Sequence, residues 1–499
     1  LHLFKPALSR ECQKNSSRLF GAAKAGMKLS EGFPKVKLRK ALAPFSTLTP
    51  CRIPGLLSFP PMDEKLPKQA LTARGEALDI LLQIEGGAFS DRLLESLESG
   101  PLSLKDRSLV REIVLGTLRW RRRIDAVLTT YLTQPLDRLP SATLALLRLS
   151  TYQLRHLDRV PAYAVVSEAV ELAHQHDPHR AKVVNAVLRG IADHRKGETG
   201  VDPSPTGSKQ LALAQSFPHW LVDRWVARFG VDRTRVALEA MNARQPLTIR
   251  IRSTGNAIDH VIHQLTREGF APSPHDRVPD LLYIAQPAGL FDTQCYRDGG
   301  FIAQGPAAAQ IIDFAAIDSG HSVLDVCAAP GGKTCVAADR AGTTGTVVAV
   351  DRSPDRLRRL VSNVTRLELN VLIAAADGNN LPFANRFDRV IVDAPCSGFG
   401  TIGKHPEIKW HRTVKDLENL PGFQSSILDS AAKHVKVGGI LLYSTCTTEP
   451  EENEHVIRNF LSRHEEFQII PTSDQDFLRL LPERPGDDGG FAAKMTRIG

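Results

Sequence analysis

Two of the seven cysteines stand where a thiol can do chemistry. Cys396 lies in Asp393-Ala394-Pro395-Cys396-Ser397-Gly398, and Cys446 in Tyr443-Ser444-Thr445-Cys446-Thr447. Each follows a short apolar run, residues 389–392 and 440–443, that reads as a buried strand. In an open α/β sheet ligands sit beyond the carboxyl ends of the strands. Neighbouring strands would therefore deliver both thiols to one cleft. A lone buried cysteine is usually a small apolar core residue, and the thiols of Cys327 and Cys335 read that way. Two cysteines in polar turns at adjacent strand tips point instead to nucleophilic catalysis. A thiolate that adds to carbon-6 of a cytosine makes carbon-5 nucleophilic enough to take a methyl group from a sulfonium. A base must then remove the carbon-5 proton, and an acid near ring nitrogen-3 stabilises the adduct. Asp393 is placed for that acid role. The chain has no CxxC pair and no zinc-ligand spacing, so no metal is expected.

A cofactor site is predicted beside the thiols. The apolar run 323–326 leads into Cys327, Ala328, Ala329, Pro330, Gly331, Gly332 and Lys333, a small-residue turn that lets backbone approach a ligand before a helix begins. The next strand ends at Asp351, where a doubly wound fold holds ribose hydroxyls. Asp377 follows the third strand and is placed to meet an adenine edge. The plainer alternative is a glycine turn with aspartates capping helices. Aspartates at successive strand ends favour a nucleoside-bearing cofactor. The turn is neither GxGxxG nor a complete P-loop, which disfavours a dehydrogenase or an NTPase.

The elements that must carry these residues alternate over 301–499. Apolar runs at 323–326, 347–350, 371–374, 389–392 and 440–443 suit strands buried on both faces. A helix after Pro354 would place Leu357, Leu360, Val361, Val364 and Leu367 on one face. This is an α/β Rossmann-like domain. Residues 68–195 read as an all-α domain, with Leu71, Leu78, Leu81 and Leu82 on one helical face and Val110, Ile113, Val114 and Leu118 on another. A Pro/Gly/Ser linker follows over 196–208. Residues 209–300 read as a small α+β subdomain, with strands at 247–252 and 281–284 and a helix at 257–268.

Of 63 Lys and Arg, 11 fall in residues 1–62 against 2 of 55 Asp and Glu, so the remainder is nearly neutral. Net charge alone therefore does not argue for nucleic acid. The basic extension 1–62 reads as a mis-called start or disordered tail, an organelle targeting peptide or an RNA-binding arm. Arg119, Arg121, Arg122 and Arg123 form a local basic cluster, either a solvated face or a phosphate contact. No apolar run approaches a membrane span, and scattered thiols fit a reducing cytoplasm.

The stretches DVCAAPGGKT, VDAPCSGFGTIGKHPEIKW and YSTCTTEPEENE, in this order, resemble the Sun/Nop family of RNA 5-methylcytosine methyltransferases. GDDGGFAAKM resembles the family's final hairpin. Residues 68–195 are similar to the NusB-like RNA-binding domain of its bacterial RsmB branch, and the intervening subdomain to an RRM-like one. The resemblance implies S-adenosyl-L-methionine as cofactor and RNA, 16S rRNA, as substrate, with no DNA or membrane partner and a monomeric state. It implies Cys446 as nucleophile and Cys396 as the thiol that assists proton removal and release. Cys327 to Lys333, Asp351, Asp377 and Asp393 would form the cofactor and base pocket, and Lys404 to Trp410 a substrate-side loop. The chain departs from the branch at Gln304-Gly305-Pro306-Ala307, where Gln-Asp-x-Ser is usual, and at Ile251-Arg252-Ser253, which lacks the usual Asn. The competing reading is a non-catalytic ribosome-assembly or antitermination factor. A DNA cytosine methyltransferase is disfavoured, because those enzymes use the Pro-Cys thiol as nucleophile and no DNA-target domain is visible.

Overall fold

The computed structural model describes residues 72–194, 207–252, 257–472 and 475–499. The expected extension 1–62, Leu71, Ser253 and most of the expected linker 196–208 lie outside the described residues.

Six helices form the first layer: α1 (Ala73–Glu85), α2 (Ser90–Ser96), α3 (Leu104–Tyr131), α4 (Ser141–His156), α5 (Ala162–His176) and α6 (Ala181–Asp193). The α3 helix starts where Ser103 Oγ accepts from the Asp106 amide, satisfying one of the free N–H groups of the first turn. Val110, Ile113, Val114 and Leu118 are buried as the periodicity predicts. At Gly116 the α4 helix comes so close that a Cβ would lie 1.9 Å from Tyr152 Cζ. Arg148 of α4 ties three helices together, reaching Asp125 of α3 and Glu85 of α1 at 2.7 Å each.

Two more helices, α7 (Ser208–Ala214) and α8 (His219–Asn242), follow, and α8 kinks at Gly230 (φ 78°). Next comes an antiparallel sheet in the order β2-β3-β1-β4, built from β1 (Leu247–Ile251), β2 (Pro272–Pro274), β3 (Leu281–Ile284) and β4 (Phe301–Ala303). The α9 helix (Ala257–Arg267) buries Val261 and Leu265 in the same core as Ile249, Leu282 and Phe301. A short helix, α10 (Gln294–Arg297), precedes β4. The expected small α+β subdomain is thus present, with a helical lead-in that the strand pattern alone did not suggest.

The α11 helix (Pro306–Phe314) opens the last region. It continues as β5 (Ser322–Val326), α12 (Gly332–Ala341), β6 (Thr346–Asp351), α13 (Pro354–Arg366), β7 (Val371–Ala375) and β8 (Phe387–Asp393). Then follow α14 (Ile408–His411), α15 (Val414–Ala432), β9 (Val435–Thr445), α16 (Glu454–Leu461), β10 (Phe467–Ile469), β11 (Leu478–Leu480) and β12 (Gly490–Arg497). The sheet order is β10-β12-β9-β8-β5-β6-β7, with β11 against β12. Strands β5 to β9 are parallel, and the order reverses at β5, which has β6 on one side and β8 on the other. That reversal opens the crevice where doubly wound folds bind ligands. Two expectations fail at the margin. β7 is the sheet's edge and exposes Leu372, so it is not buried on both faces. Val361 is likewise exposed, because α13 covers the sheet near its edge with only Leu357, Leu360 and Val364. Among the described residues no helix is long and apolar enough to cross a membrane.

Candidate active site

Parallel register places Asp393, the last residue of β8, beside Ser444 of β9. The turns that follow these strands carry the two thiols, and Cys396 Sγ lies 3.2 Å from Cys446 Sγ. Cys446 is exposed and Cys396 half-buried. The Cys396 thiol is pushed well up in pKa, first by its hydrogen bond with Cys446, then by burial and by the charges of Cys446 and Glu452. It therefore holds its proton through neutral pH.

Asp393 accepts from Lys333 Nζ at 2.8 Å and from Ser444 Oγ at 2.8 Å. Burial disfavours the Lys333 ammonium, but Asp393 more than offsets that, and the lysine pKa is raised. The cleft thus holds a fixed cation beside a carboxylate. Lys333 belongs to the first turn of α12, directly after the small-residue turn. In that turn Cys327 (φ 67°) and Gly331 (φ 107°) are left-handed. Gly331 has no room for a side chain, since a Cβ would lie 2.4 Å from Leu360 Cδ1. Ala328 and Ala329 are buried, and Pro330 and Gly332 complete the turn. Asp351 is buried at the end of β6, accepting from Ala329 N at 3.2 Å and Ser353 N at 2.9 Å. Asp377 is exposed after β7, where it accepts from Asn379 N at 3.0 Å. The Cys335 thiol is buried in the core, and burial pushes it and Cys327 up to about 12.

Residues 314–496 match the model of the 16S rRNA methyltransferase RsmB/F family, residues 71–193 that of the NusB family, and residues 217–290 the RsmF/B-like ferredoxin-like domain. Ribosomal RNA small subunit methyltransferase B of Escherichia coli (strain K12) is 31% identical over 420 residues, covering 83% of this chain and 96% of that protein. The chain belongs to the ribosomal RNA small subunit methyltransferase B family. The protein of the same description from Pectobacterium atrosepticum is 30% identical, over 86% of this chain and all of that one. The crystal structure of PH0851 superposes with a TM-score of 0.73 at 25% identity, over 86% of this chain and all of that one.

Within the segment from Lys404 to Trp410, expected as a substrate-side loop, Glu407, Lys409 and Trp410 spend their polar groups on the helical regions. Lys409 is buried, and its ammonium donates to the carbonyls of Arg119 (2.7 Å) and Ser216 (3.0 Å) and lies 4.0 Å from the centre of the Phe217 ring. Trp410 Nε1 donates to Leu118 O at 2.7 Å, and Glu407 accepts from Ser90 N and Oγ. His411 Nε2 lies 2.8 Å from Ile84 O. The same docking redefines part of the basic cluster. Arg119 donates to Gly403 O at 3.2 Å, and Arg121 lies over Trp410. Both are turned toward the catalytic domain rather than presented on a solvated face. Lys404 pairs with Asp488 at 2.7 Å. At Gly305 a Cβ would lie 1.9 Å from Asp488 Oδ2, so a side chain there would displace the Asp488 carboxylate.

Sequence reasoning singled out the thiols but not what aims them. Buried Glu452 accepts from Ser397 N and Gln424 Nε2, each at 2.8 Å, and pins the Pro-Cys turn from below. Arg412 donates to the carbonyls of Ser397 (3.1 Å) and Cys396 (3.3 Å). Gly400 N donates to Cys446 O at 2.9 Å and Gly489 N to Gly400 O at 2.8 Å, which joins both cysteine turns to the start of β12. The run of carboxylates after Cys446 was the available signal for Glu452. Nothing in the sequence marked Arg412.

Proposed function

We propose that this protein methylates carbon-5 of a cytosine in small-subunit (16S) ribosomal RNA, with S-adenosyl-L-methionine as donor, through a covalent bond between Cys446 and carbon-6. The observation that carries the reading is the 3.2 Å approach of two thiols from adjacent strand ends, one exposed and one half-buried. The turn after β5 fits a nucleoside-bearing donor. Its left-handed residues fold the chain back beside Asp351, whose carboxylate oxygens each accept one backbone N–H and keep lone pairs for hydroxyl donors. The donor supplies an electrophilic methyl group. Cys327 to Lys333, Asp351 and Asp377 are assigned to hold it.

Cys446 attacks carbon-6, and the electron pair moves into the ring toward carbon-5. Asp393 accepts from Lys333 Nζ and Ser444 Oγ, which aim its carboxyl, and it is assigned to share a proton with ring nitrogen-3 of the adduct. Once Cys446 is bonded to carbon-6 it no longer carries charge or accepts a proton from Cys396. The largest cause of the raised Cys396 pKa, its hydrogen bond with Cys446, then disappears, while burial and the Glu452 charge remain. Carbon-5 would take the methyl group as the donor's sulfur–methyl bond breaks. Cys396, having given its own proton to solvent, then takes the carbon-5 proton, and the electron pair left behind expels the Cys446 thiolate from carbon-6 and frees the product.

The test is a denaturing gel with labelled small-subunit rRNA and cofactor. Cys446→Ala should give neither product nor a slow protein–RNA band, and Cys396→Ala should accumulate that band. A band with Cys446→Ala alone would reverse the roles. Full activity in both variants would end the covalent reading.

A further inference from the structure

A cavity of about 310 Å³ lies between the kink of α8, the turn after β9 and the β11–β12 ladder. We infer that it is a second RNA subsite, which takes a nucleotide next to the target cytosine; this rests on the proposed reading of the substrate. Its walls include Arg228, Phe229, Arg233, Arg277, Arg479 and Phe491. Three of the four arginines are matched, Arg479 by Glu454 at 2.7 Å, Arg277 by Glu483 at 3.0 Å and Arg228 by Glu449 at 3.6 Å. Exposed Arg233 makes no ion pair among the described residues. The cavity therefore keeps one unmatched positive charge, that of Arg233.

Charge is not the only feature that points to a nucleotide. The Arg228 guanidinium lies 4.6 Å from the centre of the Phe229 ring, a guanidinium–aromatic pair of the kind on which unstacked bases rest. Glu454, also in the wall, accepts from Arg479 and holds that guanidinium in place. Phosphate to Arg233 and ring to the aromatic wall together describe a nucleotide rather than a simple anion.

The position fits an adjoining nucleotide. Thr448 lines the cavity and is two residues from Cys446, at most ~7 Å of chain. Gly490, also in the wall, starts the strand that pairs with the end of β9. An RNA strand with its cytosine at Cys446 would therefore pass the cavity mouth within one nucleotide.

The experiment measures binding of protein-free small-subunit rRNA by the full chain as a function of salt, for wild type, Arg233→Gln and Arg233→Glu. Arg233 is exposed, so neither variant threatens the fold. Arg233→Gln should weaken RNA binding about three- to tenfold and lower the salt slope by about one charge. Arg233→Glu should weaken it further, and cofactor affinity should stay unchanged in both. Equal affinity and slope in all three proteins would overturn the subsite. Cytidine monophosphate is the second arm. If it binds as tightly as the RNA and loses that binding with Arg233→Glu, the cavity is a site for free nucleotides and the inference fails. Methyl transfer by wild type to the same rRNA reads the proposed function separately. Its failure beside an intact Arg233 effect sinks that reading and not the RNA contact.

Discussion

At the scale of single residues, the two thiols are linked by one shared proton. The Cys396 pKa is raised first by its hydrogen bond with Cys446, which the adduct removes, and then by burial and the Glu452 charge, which the adduct leaves in place. A group held in its protonated form yields a base only as pH rises. Release of the adduct, which needs ionised Cys396, should therefore speed up with pH by as much as about tenfold per unit below the pKa. In a single-turnover experiment across about pH 6 to 9, the wild-type protein–RNA band should be longest-lived at the acid end. In Cys396→Ala its lifetime should lose that dependence. A wild-type lifetime flat with pH would remove Cys396 from the proton step. The cysteines were legible in the sequence because each stood in a polar turn after an apolar run. Glu452 and Arg412 were not, because they reach the Pro-Cys turn from chain positions that only the fold brings near.

At the scale of elements, α3 and α4 cross closely at Gly116. The glycine leaves room for Tyr152, whose hydroxyl donates to Glu112 at 2.5 Å, within the same helix as the glycine. Gly116→Ala gains helix propensity but forces the ring and its hydrogen bond aside. Overpacking of this kind costs about 1–3 kcal/mol, so the urea midpoint should fall. An unchanged midpoint would mean that the helices can separate freely. Periodicity revealed the helices, and short unbroken apolar runs the central strands, since both are local properties. It did not reveal that β7 is an edge or that β12 enters the sheet antiparallel between β9 and β10. Those are questions of neighbours, and a strand's own residues do not name them.

At the scale of the whole molecule, the described residues within 69–499 form one compact unit. The segment that follows Cys396 is a principal join between its helical and catalytic halves. Lys409 illustrates the cost of undoing that join. Burial drives its pKa well below the usual lysine value, and its ammonium donates to carbonyls from two separate helical regions. Lys409→Met would keep the volume and strip those carbonyls of a donor, at about 2–3 kcal/mol. Calorimetry should show one transition in wild type and an earlier or split transition in the variant. A single transition at the wild-type temperature would show that the halves are joined elsewhere. The motif containing Lys409 was visible in the sequence. Its use as a dock was not, because a basic, aromatic segment beside a catalytic turn reads equally well as a substrate contact.

The acceptors along that dock are nearly all main-chain carbonyls, those of Ile84, Leu118, Arg119 and Ser216. A backbone carbonyl is the same whichever side chain its residue carries. At these four positions the catalytic half grips the backbone of the helical half, whatever side chains stand there, whereas Ser90, Arg119 and Arg121 take part through their side chains. Over evolutionary time the helical half is free to exchange its outward side chains elsewhere without renegotiating the join. What it cannot absorb is a one-residue insertion in the middle of α3, which would turn every later residue of that helix by about 100° and carry the carbonyls out of reach.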